Sequence, residues 1–102
     1  MAETNQLLIP DAAKQDHGSF EILRVWVANH GQHISLRTGV WNDPAAWGIL
    51  LADLAKHVVN SYQESAGLDR VKVLARIKAA LDAELTSPTD NPSGRITDTG
   101  SV

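Results

Sequence analysis

Residues 41–62, WNDPAAWGILLADLAKHVVNSY, decide the fold, because they hold the clearest helix start and the longest apolar stripe of the chain. Asp43 can accept hydrogen bonds from the free amides of a first turn, and Pro44 suits the first helical position, where an N–H has no partner to lose. Gly67 is a suitable terminator. One face of the predicted helix is apolar, and we name it the central stripe: Trp47, Leu50, Leu51, Leu54, Val58 and Tyr62.

A row of small residues runs beside the central stripe: Gly48, Ala52, Ala55 and then Val59. Small side chains at this spacing let another backbone approach closely. Either a second helix of the same chain or a helix of another subunit could pack there. We expect the first, because packing within one chain is the commoner use of an apolar flank.

Composition bounds the function classes. The chain has 102 residues, enough for one domain, and a net charge of −3, which disfavours general nucleic-acid binding. It contains no cysteine, so disulfides and thiolate metal sites are excluded and a reducing cytoplasm is expected. We see neither a signal peptide nor a run of about 20 apolar residues, so no membrane association is expected.

The ends of the chain are polar. Residues 1–19 are predicted to be a partly ordered segment, in which residues 7–9 (Leu-Leu-Ile) could form a short edge strand before Pro10 or a segment tucked across the core. Residues 20–85 form the single predicted domain. Residues 86–102 have almost nothing to bury and are predicted to be a disordered tail.

Residues 20–28 (FEILRVWVA) read as a strand, 29–32 as a turn and 33–37 as the return strand. Closing the hairpin at His30 and Gly31 matches apolar sets across the ladder and puts Arg24 opposite Arg37. Two like charges directly across a ladder are unfavourable. Either a bound partner or anion compensates, or the guanidinium groups reach water or internal carboxylates, which is the commoner outcome. Arg24, Trp26 and Arg37 are therefore binding candidates, whereas Trp41 is expected to be core.

A second helix begins at Asp69, which is a suitable N-cap. Its apolar stripe consists of Val71, Leu74, Ile77, Leu81 and Leu85. The short connection predicts an antiparallel neighbour of the central helix. Lys72 and Arg76 share its outer face and could contact an acidic partner, although a solvated face is the commoner meaning of such charges.

Motifs for chemistry are weak. Asp53 and His57 lie one turn apart on a polar edge of the central helix, where His57 could act as a base oriented by Asp53. They are the acid–base candidates, but most amphipathic helices have such an edge. His30 and His33 flank the turn and fall short of the three or four ligands of a metal site. We predict no cofactor, no metal site and no catalytic residue.

Three segments together resemble a family of small bacterial proteins known only as a domain of unknown function. They are residues 24–27 (RVWV), 35–37 (SLR) and 40–48 (VWNDPAAWG). The resemblance spans about residues 7–64. It implies a bacterial cytoplasmic α+β protein and brings no activity with it.

The sequence therefore predicts an α+β domain in which a β-hairpin, with a third strand if residues 7–9 pair, is covered by two antiparallel helices. A two-stranded ribbon is marginal alone and leaves two open edges, so we expect a homodimer. The leading hypothesis is a non-catalytic interaction or regulatory module, whose partner would be a protein. The alternative is a small-molecule or anion binder, or an enzyme, with a pocket between sheet and helices.

Overall fold

The structure, a computed structural model, describes residues 5–87 and the backbone of residues 96–98. The elements are α1 (Asp11–Gln15), β1 (Leu23–Ala28), β2 (Gly31–Leu36), α2 (Ala45–Ala66), α3 (Arg70–Thr86) and β3 (Ile96–Asp98). An antiparallel hairpin followed by two long helices confirms the predicted α+β class.

The hairpin closes one step earlier than the sequence pattern predicts. Asn29 and His30 both have positive φ, 51° and 64°, which is typical of a two-residue type I′ turn. Trp26 therefore pairs with His33, and Arg24 pairs with Ser35. The predicted pairing of Arg24 with Arg37 is wrong by two residues, because the turn uses Asn29 rather than Gly31 for the left-handed conformation.

Both helix starts follow the predicted capping chemistry. The Asp43 carboxylate accepts a hydrogen bond from the Ala45 amide at 2.9 Å, so α2 begins beside Pro44. Asp69 caps α3 by accepting from the Val71 amide at 3.2 Å. Gly67 ends α2 in the left-handed conformation, with φ 65°. These side chains set where each helix begins and ends.

The third strand comes from the other end of the chain. Residues 7–9 have no strand structure, so of the two alternatives that the sequence leaves open there, the edge strand is not formed. Instead β3 pairs in parallel with β2, giving the order β1-β2-β3. It lies within residues 86–102, which were predicted to be a disordered tail, and its backbone departs from that expectation. The remaining residues of that predicted tail beyond residue 87 lie outside the described part of the chain.

The core of one chain is small. Among residues 5–87, the buried hydrophobic side chains are Val59 and Val73, which are 3% and 9% exposed. Val59 is on α2 and Val73 is on α3, and these two helices pack against each other. Among the described elements, no Cα atom of either helix lies within 8 Å of a Cα atom of the sheet. The hairpin and the helix pair are therefore two separate layers, joined by residues 37–44.

Candidate interaction surfaces

The central stripe remains open in the single chain. Leu51 and Leu54 are 52% and 47% exposed, and Tyr62 is also exposed, although all three lie on the face that the sequence predicts to be core. In the described residues no strand contacts α2. A contiguous apolar face of this kind marks an interaction site in a soluble protein.

The row of small residues meets α3 at its C-terminal end. Val59 is buried and lines a cavity of about 180 Å³ together with Val71 and Leu74. Arg70 at the start of α3 donates hydrogen bonds to the side chains of Asn60 and Gln63, which ties the two helices together. A second helix of the same chain therefore packs on the row of small residues at Val59, as we expected.

The N-terminal end of the same row is open. A Cβ added at Gly48 would meet nothing within 4 Å, so no described segment approaches that part of α2 closely. Helix α3 covers the half of the row near the connecting loop and leaves the half near Gly48 free.

A groove of about 870 Å³ lies beside β1. One wall is the N-terminal segment, residues 5–10 with Ala13 and Lys14, and the other is formed by residues 19–21 and 23–27. Consecutive residues of a strand point to opposite faces of a sheet. A space lined by residues 23 to 27 without interruption therefore runs along the edge of β1 rather than over one face.

The outer face of the hairpin uses its arginines internally. Arg24 forms an ion pair with Glu21 at 3.0 Å, although both side chains are partly exposed. The Arg37 guanidinium donates to the Glu21 carbonyl at 3.0 Å and lies 4.9 Å from the centre of the Phe20 ring. Of the three predicted binding residues on this face, Trp26 keeps the most freedom to bind, since it is 37% exposed and lines the groove.

The basic face of α3 differs from the hairpin. Lys72 and Arg76 are exposed, and within residues 5–87 neither forms an ion pair. Lys78, further along α3, pairs with Asp82 at 3.3 Å. Lys72 and Arg76 are therefore the basic pair that is free to meet an acidic surface.

The predicted acid–base residues are not gathered into a site. Asp53 and His57 are exposed on α2 and line neither of the two cavities above. In the turn, the His33 ring nitrogen contacts the Ala28 carbonyl at 3.0 Å, while His30 holds a turn position. The residues that the structure describes contain no cluster of three side chains suited to a metal.

Trp41 is a packing residue at the start of α2. Its ring meets Trp47 edge to face, with ring centres 5.3 Å apart, which fixes the entry of the chain into the helix. It is nevertheless 40% exposed, so it is only half buried in the single chain.

Sequence reasoning missed the edge groove. The signal was present in the three apolar residues Leu7, Leu8 and Ile9 in an otherwise polar segment, for which we considered an edge strand or a segment tucked across the core. In the structure they form a wall of the groove instead, and Leu7 and Leu8 are 89% and 90% exposed. Which strand they face depends on the path of residues 10–19, and no local pattern reports that path.

Comparisons with known proteins agree with this fold. A solved structure from the photosynthetic bacterium Rhodopseudomonas palustrus CGA009, provisionally described as a pyruvate dehydrogenase, matches with a TM-score of 0.77 and 31% identity. The match covers 96% of this chain and 100% of the other. No curated protein matches. Within the described residues, no helix is long and apolar enough to cross a bilayer. The family model for the domain of unknown function DUF5076 matches residues 6–89, and the chain belongs to that family.

Proposed function

We propose that the chain is a non-catalytic protein-interaction module that works as a homodimer in the bacterial cytoplasm. One observation carries the proposal: within residues 5–87 a single chain buries only Val59 and Val73 among its hydrophobic side chains. The central stripe, the hairpin and residues 7–9 all keep large apolar side chains in contact with solvent.

Energetics favour self-association. Burying one large apolar side chain stabilises a folded state by about 1.5–3 kcal/mol. Many large apolar side chains of residues 5–87 keep about half or more of their surface in solvent, so a single chain leaves much of this free energy unused. A second copy supplies apolar surface of matching chemistry, as expected for a protein whose folded monomer is not independently stable.

The cellular setting rests on two observations. The solved relative comes from a bacterium, and the chain contains no cysteine, which suits a reducing compartment. Neither observation depends on the dimer.

The test is self-association measured together with folding. Sedimentation velocity and far-ultraviolet circular dichroism are recorded from high micromolar to nanomolar concentration. We expect a dimer at high concentration and a loss of helical signal as it dissociates. A monomer that stays fully folded at nanomolar concentration would refute the proposal.

The protein partner would meet the basic pair Lys72 and Arg76, which we infer to contact an acidic surface. In an affinity capture, the double charge reversal K72E/R76E should lose the partner that the wild type retains. The matched control is K56E/K78E, which makes the same change in net charge on other faces of the helices. Equal loss in both variants would show that net charge, rather than this face, controls capture.

A small-molecule or anion binder, or an enzyme, is the second candidate, favoured by the provisional description of the relative as a pyruvate dehydrogenase. Asp53 and His57 would supply acid–base chemistry, but their exposed positions outside both cavities give that reading little support. Pyruvate-dependent dehydrogenase activity of the purified protein, abolished in D53N and H57Q, would favour it over the interaction module.

A further inference from the structure

The free edge of β1 offers unsatisfied backbone groups. Ile22 accepts a hydrogen bond from the Arg37 amide at 3.0 Å, so the even-numbered residues of this strand bond to β2. The N–H and C=O groups of Leu23, Val25 and Val27 therefore point away from β2. In the part of the chain that the structure describes, no segment pairs with them, because β1 is the edge of the sheet.

This edge opens into the groove lined by residues 5–10 and 23–27, so its unpaired backbone groups face open space rather than a packed segment.

The edge is complementary to itself. In a two-fold antiparallel pair centred on Val25, Val25 faces the partner's Val25 and Leu23 faces the partner's Val27. The backbone groups of Leu23, Val25 and Val27 then all find partners, with roughly six hydrogen bonds in total. Arg24 then lies opposite the partner's Trp26, a cation–π pairing. Centring on Arg24 would oppose two guanidinium groups, and centring on Trp26 would leave Leu23 facing the turn.

Resting on the homodimer proposed above, we infer that its interface includes the edge of β1, with the β1 strands of two copies paired antiparallel about Val25. Leu7 and Leu8, which are almost fully exposed in the single chain, then pack on the partner's hairpin. The pairing also removes the open edge that would otherwise invite aggregation.

Cysteine cross-linking tests this register without interference, because the chain has no native cysteine. In the paired strands the two Val25 Cα atoms are about 5.5 Å apart. The two Val27 Cα atoms are about 14 Å apart, since they are offset by four residues along the strands and lie on neighbouring strands. With a thiol reagent that spans only adjacent strands, V25C should become a covalent dimer, and V27C alone should remain uncross-linked.

A mixed experiment supplies a second readout. L23C and V27C, each uncross-linked alone, should form a covalent mixed dimer when combined, because Leu23 faces the partner's Val27. Sedimentation of the same samples separates the two proposals. A monomer at every concentration would overturn both. A dimer in which neither V25C nor the mixture cross-links would overturn only this interface. Cross-linking of V25C to a different protein in cell extract would show a foreign strand in the groove.

Discussion

Truncating the central stripe should weaken the dimer without unfolding the helix pair. Leu51 and Leu54 are 52% and 47% exposed in one chain, so a second copy can cover about half of each side chain. Full burial of a leucine is worth about 1.5–3 kcal/mol, and the remaining half is therefore worth about 1 kcal/mol. Since L51A/L54A changes four side chains in the dimer, the loss is about 4 kcal/mol. The dissociation constant should rise roughly a thousandfold.

The assay is sedimentation equilibrium over a concentration series, with I49A as the matched control. Ile49 is also on α2 and is 66% exposed, but it lies on the opposite side of the helix from the stripe. Its truncation should change the dissociation constant by less than about tenfold. If L51A/L54A leaves the dissociation constant unchanged, the stripe is not covered by a second copy and the reasoning from exposure is wrong.

Three further predictions concern local structure and are read from urea or thermal unfolding at one fixed protein concentration. Loss of the α3 cap in D69A should lower the free energy of unfolding by about 1 kcal/mol. The control D82A removes only an exposed ion pair with Lys78 and should change that free energy by a few tenths of a kcal/mol. Equal effects of the two variants would contradict the cap. H30G should raise stability by about 0.5–1 kcal/mol, because His30 has a φ of 64° that glycine adopts without strain, and a loss of stability would argue against the type I′ turn. G67A should cost about 1 kcal/mol, since the left-handed C-terminal residue of α2 has a φ of 65°, and an unchanged midpoint would show that the helix ends differently.

The hairpin shows how far a pattern of apolar residues can predict pairing. Alternation along β1 and β2 determines which side chains share a face, and the predicted faces are correct. A shift of two residues leaves every side chain on the same face, so alternation cannot separate the predicted register from the observed one. The turn decides between them, and it does so through the left-handed conformations of Asn29 and His30. That choice belongs to turn chemistry, which is weakly encoded when a glycine follows immediately at position 31.

The candidate surfaces divide in the same way. Local chemistry predicted that Lys72 and Arg76 share an outer face. It left open whether Arg24 reaches water or an internal carboxylate, and in the structure it pairs with Glu21. It could not predict that Phe20 would lie under Arg37 or that residues 5–10 would stand beside β1. Those contacts join segments through loops whose direction no short pattern records.

By itself the sequence determined the α+β class, the caps at Asp43 and Asp69, the end of α2 at Gly67 and the faces of the hairpin, because each depends on residues within one or two turns or on strict alternation. Only the tertiary structure decided that the backbones of the hairpin and of the helix pair stay apart, that the central stripe is open and that a groove follows β1. An apolar stripe in a sequence predicts that this face of the helix is buried against another surface. Whether its own chain or a second copy covers it depends on the geometry of the connections, here residues 37–44 and the segment before β1.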